Sequence, residues 1–180
     1  MLVLPIHRCL QFILVSPHYP ENVGACCRAM KTMGFTKMGI VRPSRLALPS
    51  HAMAQKMAVK SLDVLDGATL FDNLDEAIVG TDVLVGTTAR KGVSGATTPR
   101  KLAPELLKAA QRQKKITILL GNEKNGLSAD EVKRCDVTLR VPIASAQPSL
   151  NLAQAMQVIS YELFVAALLE REAQKEAGVG

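Results

Sequence analysis

The chain has 180 residues, enough for one domain with its own core, and 48% hydrophobic with 21% charged residues excludes disordered and collagen-like chains. The formal net charge is +6. Aromatic residues make up 3% of the sequence and Trp is absent, which argues against a single-strand nucleic-acid binder built on stacked aromatic platforms.

Short apolar runs alternate with helical patterns along the chain. Several runs are almost continuously apolar, which is typical of parallel strands covered on both faces. Strands are predicted at 10–16, 37–41, 82–87, 115–121 and 136–141. Helices are predicted at 21–33, 50–59, 73–80, 99–113 and 128–134. The sequence therefore predicts an α/β fold, a mostly parallel sheet with helices on both faces.

Capping residues support these helices. Asp72 and Ser128 are predicted N-caps, and Gly34 and Gly80 are predicted C-terminal stops.

The last predicted helix, residues 150–169, has fifteen apolar residues in twenty and only one charge, Glu162. Asn151, Gln154, Gln157 and Ser160 follow one another at a spacing of three. A helix this apolar is expected to be buried on two sides, most simply against a second subunit. A membrane span is the alternative, but it would place four uncharged polar residues and a glutamate in hydrocarbon.

Basic residues are segregated along the chain. Residues 22–62 and 83–104 contain no acid, whereas six acids lie between the two stretches. Such clustering is typical of a polyanion-binding face, although a solvated basic surface without a ligand would share it. The candidate RNA-phosphate contacts are Arg42, Arg45, Lys56, Arg90, Lys91, Arg100 and Lys101.

The four cysteines lack the spacing of metal ligands, so reduced thiols and no metal are expected. The apolar stretch at 10–15 is too short to span a membrane and precedes no cleavage-type site. These features predict a cytosolic protein.

Three loops carry the chemical signal, and each follows a predicted strand, where open α/β sheets collect ligands. They occupy residues 16–28, 119–128 and 141–152. The second has the glycine spacing of a P-loop, but Leu127 stands where the phosphate-binding lysine is required. Taken singly, each loop is also compatible with a purely structural turn and cap.

In this order the loops resemble the SpoU/TrmH family of the SPOUT methyltransferases, and within it the TrmJ-type tRNA 2′-O-methyltransferases. The resemblance covers residues 10–169. Its motifs are Asn22-x-Gly24-x-x-x-Arg28, then Ala-Met-Lys-Thr-Met-Gly34, Gly86-Thr-Thr-Ala-Arg90, Gly121-x-Glu123-x-x-Gly126-Leu-Ser128, Ser149-Leu-Asn151-Leu-Ala and Tyr161-Glu162. Asn122 departs from the arginine usual in the TrmJ type. Such chains also continue into a C-terminal extension, so we expect a domain at 1–170 and a charged tail at 171–180.

The resemblance implies a C-terminal trefoil knot, a homodimer through the C-terminal helix, and S-adenosylmethionine as cofactor. It also implies methyl transfer to a ribose 2′-hydroxyl, of cytidine or uridine at position 32 of the tRNA anticodon loop. The implied catalytic residues are Arg28, Asn22, Glu123, Ser149 and Asn151. The implied cofactor contacts are Thr87, Thr88, Ala89, Gly121, Val141, Pro148, Ser149 and Leu150.

The family assigns hydroxyl activation to Arg28. A guanidinium is a poor base, so we interpret Arg28 as an electrostatic stabiliser of the forming alkoxide and a phosphate clamp. A structural alternative is an ion pair between Arg28 and Glu123. At Gly121, a side chain is expected to fill the cofactor pocket.

Other functions remain open at this point. They are an inactive RNA-binding relative, a 2′-O-methyltransferase acting on rRNA or on another tRNA position, and a dinucleotide-binding or phosphotransfer enzyme. No Gly-x-Gly-x-x-Gly follows the first strand, which argues against the last.

Overall fold

A single six-stranded sheet forms the centre of the molecule. The computed structural model describes residues 2–90, 93, 95–144 and 149–178. All strand pairs are parallel, and the strand order is β3-β2-β1-β5-β4-β6. The strands are β1 (Leu10–Val15), β2 (Met38–Val41), β3 (Thr69–Phe71), β4 (Val83–Thr87), β5 (Ile116–Leu120) and β6 (Val137–Leu139). The predicted parallel sheet is confirmed, and β3 is the strand that the sequence pattern missed.

In the described part of the chain, eight α-helices connect and cover the strands. They are α1 (Pro5–Cys9), α2 (Pro20–Thr32), α3 (Ala52–Ala58), α4 (Leu62–Asp66), α5 (Leu74–Ala77), α6 (Pro99–Gln111), α7 (Ala129–Lys133) and α8 (Leu152–Glu176). Helices α1 and α4 were not predicted, because five residues are too few to show a helical period.

Two helix-end predictions are confirmed and two need correction. Gly34 follows the end of α2 with a φ of +86°, and the Ser128 side chain accepts a hydrogen bond from the Glu131 amide at the start of α7. The predicted N-cap Asp72 is wrong. Asn73 caps α5 instead, and α5 ends three residues before the expected stop at Gly80.

The two faces of the sheet carry very different amounts of structure. Alternate residues of β1 point to opposite sides, so that Phe12 and Leu14 join one core cluster and Ile13 joins the other. The larger cluster includes side chains of α2, α3, α6 and α8, whereas the smaller is covered by the short helices α5 and α7. The face with the larger cluster, called the thick face, therefore carries the long helices that reach the candidate site. The face with the smaller cluster is called the thin face.

Helix α8 packs against both α2 and α6 and runs beyond the predicted end at 169. The charged segment 171–176, expected as a tail, continues this helix. By length and composition alone α8 could cross a membrane, a property it shares with core helices of globular proteins. Only 33% of its 18-residue apolar stretch is buried within the chain.

Gly24 sets the distance between α2 and α3. A Cβ at this position would lie 2.0 Å from the carbonyl oxygen of Ala54. A glycine at this position therefore permits the close approach of the two helices.

Candidate functional site

Most of the predicted catalytic and cofactor-binding residues line one pocket of about 820 Å³ at the carboxyl edge of the sheet. Because the strands are parallel, the loops that follow β1, β4, β5 and β6 open at this edge. Strands β1 and β5 are neighbours, but β2 lies on the far side of β1 and β4 on the far side of β5. This reversal point lies beside the pocket, whose strand residues Thr87, Leu120 and Leu139 belong to β4, β5 and β6. The candidate site residues from the sequence that line this pocket are Asn22, Thr87, Thr88, Ala89, Arg90, Gly121, Glu123, Val141, Ser149, Leu150 and Asn151.

Glu123 ties the loop after β5 to the beginning of α2. Its Oε2 accepts a hydrogen bond from the backbone N–H of His18 at 2.9 Å, and Oε1 accepts one from the N–H of Tyr19 at 3.2 Å. The Asn22 amide donates a third, to Oε1, at 2.9 Å. Tyr19 is the N-cap residue of α2 and its side chain makes no capping bond. The carboxylate of Glu123 thus satisfies amides at a helix start, where negative charge is favoured.

The hydrogen-bonded wall of the pocket continues from Asn22 to Asn151. A carboxylate only accepts hydrogen bonds, so the NH₂ group of Asn22 must face Glu123 and its Oδ1 must face away. That Oδ1 accepts a hydrogen bond from Asn151 Nδ2 at 2.8 Å. The Oδ1 of Asn151 in turn accepts from the Ala153 amide at 2.9 Å and caps α8. Three polar side chains thereby join the starts of α2 and α8.

Gly121 is required by the turn after β5. A Cβ there would lie 2.1 Å from the Leu127 nitrogen and 2.2 Å from the Gly126 carbonyl carbon. The expectation that a side chain would fill the pocket is therefore wrong, because the clash is with the backbone of the turn itself. Gly126 closes this turn with a φ of +67° and donates its N–H to the Asn122 carbonyl at 2.7 Å.

Asn122, where the sequence departs from the family pattern, has a structural role. Its Nδ2 donates to the Ser16 carbonyl at 2.7 Å, and its Oδ1 accepts from the Lys124 amide at 2.8 Å. Ser16 itself has a φ of +50°. The Asn122 side chain therefore joins the loops that follow β1 and β5.

The remaining wall consists of main chain and apolar side chains. Thr87 ends β4, and the Thr88 amide donates to the Leu139 carbonyl at 2.9 Å. Leu139 and Leu120 are buried where the pocket touches the sheet. Pro148, an expected cofactor contact, lies outside the described residues.

Arg28 does not line the pocket. It is exposed on α2, six residues beyond Asn22, which corresponds to about 9 Å along the helix and about 120° around it. Its guanidinium makes no hydrogen bond or ion pair with any residue the structure describes, and Glu123 has no lysine or arginine within ion-pair distance there. The alternative of an Arg28–Glu123 ion pair is not observed.

The predicted phosphate contacts fall into two groups. Arg42 pairs with Glu131 at 2.9 Å, and Arg100 forms a bidentate pair with Glu162 at 2.9 and 2.8 Å. The hydrogen bond from Arg100 lowers the pKa of Glu162 below its usual value.

The second group of cations has no carboxylate within 4.0 Å among the described residues; it comprises Arg45, Lys56, Arg90 and Lys101, all exposed. Of these, Arg90 lines the pocket, with its Nη2 3.4 Å from the carbonyls of Asn125 and Leu127. Lys91 lies outside the described residues.

The sequence pattern missed several lining residues. Leu152, Ala155 and Ile159 face the pocket from the first turns of α8, at a spacing of three and four that could have identified them. The polar line at spacing three serves the helix itself: Gln154 accepts from the Asn151 amide, and Ser160 donates to the Met156 carbonyl. Tyr19 also lines the pocket, and no sequence signal singled it out. Within the described ranges no three His, Cys, Asp or Glu side chains are grouped to hold a metal ion.

Fold and pocket together define a parallel α/β protein with a candidate ligand site at the carboxyl edge of the sheet, over β4, β5 and β6. The model of the SpoU rRNA Methylase family matches residues 10–161. The chain belongs to this family.

Solved structures and curated proteins agree with this membership. A methylase family protein from Neisseria gonorrhoeae is 35% identical with a TM-score of 0.82, over 92% of this chain and 85% of that one. A chain described as a methyltransferase from Bordetella pertussis Tohama I is 29% identical with a TM-score of 0.85, over 91% of this chain and 98% of that one. The tRNA (cytidine/uridine-2′-O-)-methyltransferase TrmJ of Photorhabdus laumondii is 35% identical over 91% of this chain and 67% of its own length. The chain spans about two thirds of the length of the curated relatives it matches, 62% in the Sodalis glossinidius protein.

Proposed function

We propose that this protein is an S-adenosylmethionine-dependent methyltransferase acting on the ribose 2′-hydroxyl of a tRNA nucleotide. The observation that carries the proposal is the convergence of Asn22, Glu123, Ser149 and Asn151 on one pocket with the expected cofactor contacts. These residues come from three separated loops, and their meeting is what a shared reaction site requires.

The residues of the pocket fit the cofactor. A volume of about 820 Å³ lies within the range of roughly 300 to 1,000 Å³ usual for small-molecule sites. The wall combines apolar side chains such as Leu120 and Leu139 with main-chain groups of 87–89 and 121–127, a lining suited to an adenosine. When bound, S-adenosylmethionine supplies an already activated methyl group. The chain then has to hold the hydroxyl in line and stabilise the charge it acquires.

Glu123, Asn22 and Asn151 act in this proposal as the fixed wall that positions the ribose. Their hydrogen bonds are directed to one another and to helix starts, so their orientations are set before RNA arrives. Such preorganisation removes the cost of ordering these side chains during the reaction. Ser149, beside Asn151 in the pocket, is proposed to contact the hydroxyl from the α8 side.

Arg28 is proposed to stabilise the forming alkoxide within a homodimer. Its exposed position on α2 does not reach the pocket of its own chain, so a second subunit is the source of a pocket for it to serve. Helix α8 supports self-association, because half-buried or exposed apolar side chains recur along it at Val158, Tyr161, Val165 and Leu169. This spacing of three and four is typical of a helix that packs on another helix.

The trefoil knot belongs to the same proposal. Strand β6 lies at the edge of the sheet beside β4, yet α8 starts next to Asn22 in the first turn of α2, the helix that follows β1. The described residues Leu139 and Asn151 therefore lie on opposite sides of β4 and β5, an arrangement compatible with the knot that the family resemblance implies.

For the substrate we propose cytidine or uridine in the tRNA anticodon loop, at position 32, in the cytoplasm. The name of the Photorhabdus relative specifies cytidine and uridine 2′-O-methylation of tRNA. The net charge of +6 and the exposed cations around the pocket suit a polyanionic substrate.

The proposal is tested by incubating the protein with methyl-labelled S-adenosylmethionine and an unmodified tRNA transcript that carries cytidine at position 32. We expect label in the RNA and resistance to alkaline cleavage after that nucleotide, because a 2′-O-methyl group cannot attack the neighbouring phosphate. A transcript with 2′-deoxycytidine at position 32 is the matched control and should take up no label. Label in a base, or cofactor binding without transfer to any tRNA or rRNA, would contradict the assignment.

A further inference from the structure

We propose that Tyr19, supported by His18, is a stacking platform for the base of the nucleotide whose ribose enters the pocket. This inference rests on the proposed function and adds a residue that positions the substrate. Tyr19 lines the pocket directly beside the Glu123–Asn22 wall, and 42% of its surface is exposed. An aromatic ring left open to solvent at the mouth of a polar pocket is suited to receive a second flat ring.

Tyr19 is the one aromatic residue available for this purpose. Phe12 and Phe35 are fully buried, and Phe71 and Phe164 pack against the core clusters. The remaining aromatic residue, Tyr161, lies on α8 and does not line the pocket. Low aromatic content therefore excludes an extended platform for several bases, but it leaves one ring for one base.

The segment that carries Tyr19 is held from two sides. The Ser44 amide donates to the Pro17 carbonyl at 3.0 Å, and the Ser44 hydroxyl donates to the His18 carbonyl at 2.9 Å. On the opposite side, the amides of His18 and Tyr19 donate to Glu123. Pro20 follows as the first residue of α2 and fixes its own φ.

The ring itself is supported edge-to-face by His18, with the ring centroids 4.8 Å apart at 90°. A base that stacks on this ring meets a backbone that is already ordered. The entropic cost of binding is correspondingly small.

The position also suits the reaction. Tyr19 is three residues before Asn22, and both Tyr19 and Asn22 donate to Oε1 of Glu123. A ribose held against Asn22 and Asn151 would thus have its base beside Tyr19. Stacking depends on a ring face rather than on base edges, so such a platform accepts cytosine and uracil alike.

The test measures binding of two tRNA transcripts, one with cytidine at position 32 and one with an abasic ribose at that position. The parent protein is compared with Tyr19→Ala and with Tyr19→Phe, which keeps the ring. We expect Tyr19→Ala to weaken binding of the intact transcript about tenfold and to leave binding of the abasic transcript unchanged. Tyr19→Phe should bind both transcripts like the parent.

An equal loss on both transcripts would overturn the proposal, since the ring would then act on the backbone or on the loop. A change of sedimentation coefficient in Tyr19→Ala would assign the ring to a subunit contact and also overturn it, as would failure of the parent to bind the intact transcript more tightly than the abasic one. Methyl incorporation by the parent is measured in parallel. Base-dependent loss in Tyr19→Ala without any methyl transfer by the parent would support the platform and reject the proposed reaction.

Discussion

The wall of the pocket and two exposed cations outside it are built in opposite ways. Glu123, Asn22 and Asn151 are tied to each other and to two helix starts by hydrogen bonds within the chain. Arg28 and Arg45 extend into solvent and pair with no carboxylate among the described residues. The fold thus completes the wall within one chain, and in the proposed function the cations are satisfied by RNA or by a second subunit.

The largest effect is expected for replacement of Arg28, one of the two exposed cations. Arg28→Ala should lower methyl transfer at least about 100-fold, the size typical of removing one group that stabilises transition-state charge. Because the exposed guanidinium makes no hydrogen bond or ion pair with described residues of its own chain, thermal stability and cofactor affinity should stay close to those of the parent. Single-turnover rates, thermal denaturation and equilibrium dialysis of the cofactor measure the three quantities.

Mixing two inactive variants shows which subunit Arg28 serves. Arg28→Ala keeps an intact pocket, whereas Ser149→Phe places a bulky ring inside the pocket and keeps Arg28. If Arg28 acts across the dimer, equal mixing after dissociation and reassociation should restore about a quarter of the parent activity, because half of the dimers are mixed and each has one complete site. No recovery in verified mixed dimers would place Arg28 in the site of its own chain.

Glu123→Gln breaks the internal wall instead. A glutamine keeps one acceptor oxygen, but its NH₂ group must face donors on the other side, either the amide of His18 or the amide of Tyr19 and the NH₂ of Asn22. We expect the free energy of unfolding to fall by about 1–3 kcal/mol, with turnover reduced as well. Urea denaturation and methyl transfer are measured together.

Glu76→Gln is the matched control for this change. Glu76 also accepts a side-chain amide hydrogen bond, from Asn73, but it lies on α5 beneath the thin face of the sheet. Its turnover should equal that of the parent. A Glu123→Gln protein with full turnover would mean that the wall has no part in positioning the ribose.

The contrast between these regions also marks what sequence alone could predict. Asn22, Glu123 and Asn151 follow strands of one parallel sheet, so their meeting at its carboxyl edge follows from the predicted topology. The direction of Arg28 does not, because it depends on how α2 is rotated by the contact of Gly24 with α3. Strand β3 was missed because its three residues do not alternate between buried apolar and exposed polar side chains. The strand pairs with β2, but Leu70 is 49% exposed.

The pH dependence of stability is expected to depend on His7, which is buried and does not line the pocket. The ring is buried between Phe35 and Phe164, and its Nδ1 accepts the Leu4 amide at 3.0 Å. Burial lowers the pKa of His7 below 6.5, although the Met33 carbonyl opposes this shift. The unfolded chain therefore binds a proton at a higher pH than the folded chain does.

Stability from His7 is complete above about pH 6.5 and is lost as the pH falls towards the lowered folded-state pKa. The free energy of unfolding should decrease by up to about 1.4 kcal/mol per pH unit in that window. His7→Asn, which keeps an acceptor for the Leu4 amide and does not titrate, should be less stable at pH 7.5 but should show a smaller slope. Equal slopes for variant and parent would remove His7 as the cause.

The smallest expected effect is on the salt dependence of RNA affinity, and it should differ between arginines with and without a carboxylate partner. Arg90 is exposed at the pocket and has no carboxylate partner among the described residues, whereas Arg100 is held by two hydrogen bonds to Glu162. Replacing Arg90 and Lys91 together with alanine should reduce the slope of log affinity against log salt by roughly one to two units, because each phosphate contact contributes about 0.7 to 0.9. Cofactor affinity should stay largely unchanged.

Arg100→Ala provides the comparison, since it removes one positive charge from a side chain that is already paired with Glu162 on α8. Its salt slope should equal that of the parent, and tRNA affinity measured at several salt concentrations decides between the two variants. If Arg100→Ala lowers the slope as much as the double variant does, phosphate competes successfully with Glu162. The paired arginines would then belong to the RNA-binding surface. Ion pairs in the free protein would not predict which cations contact RNA, and affinity measurements would be needed to identify them.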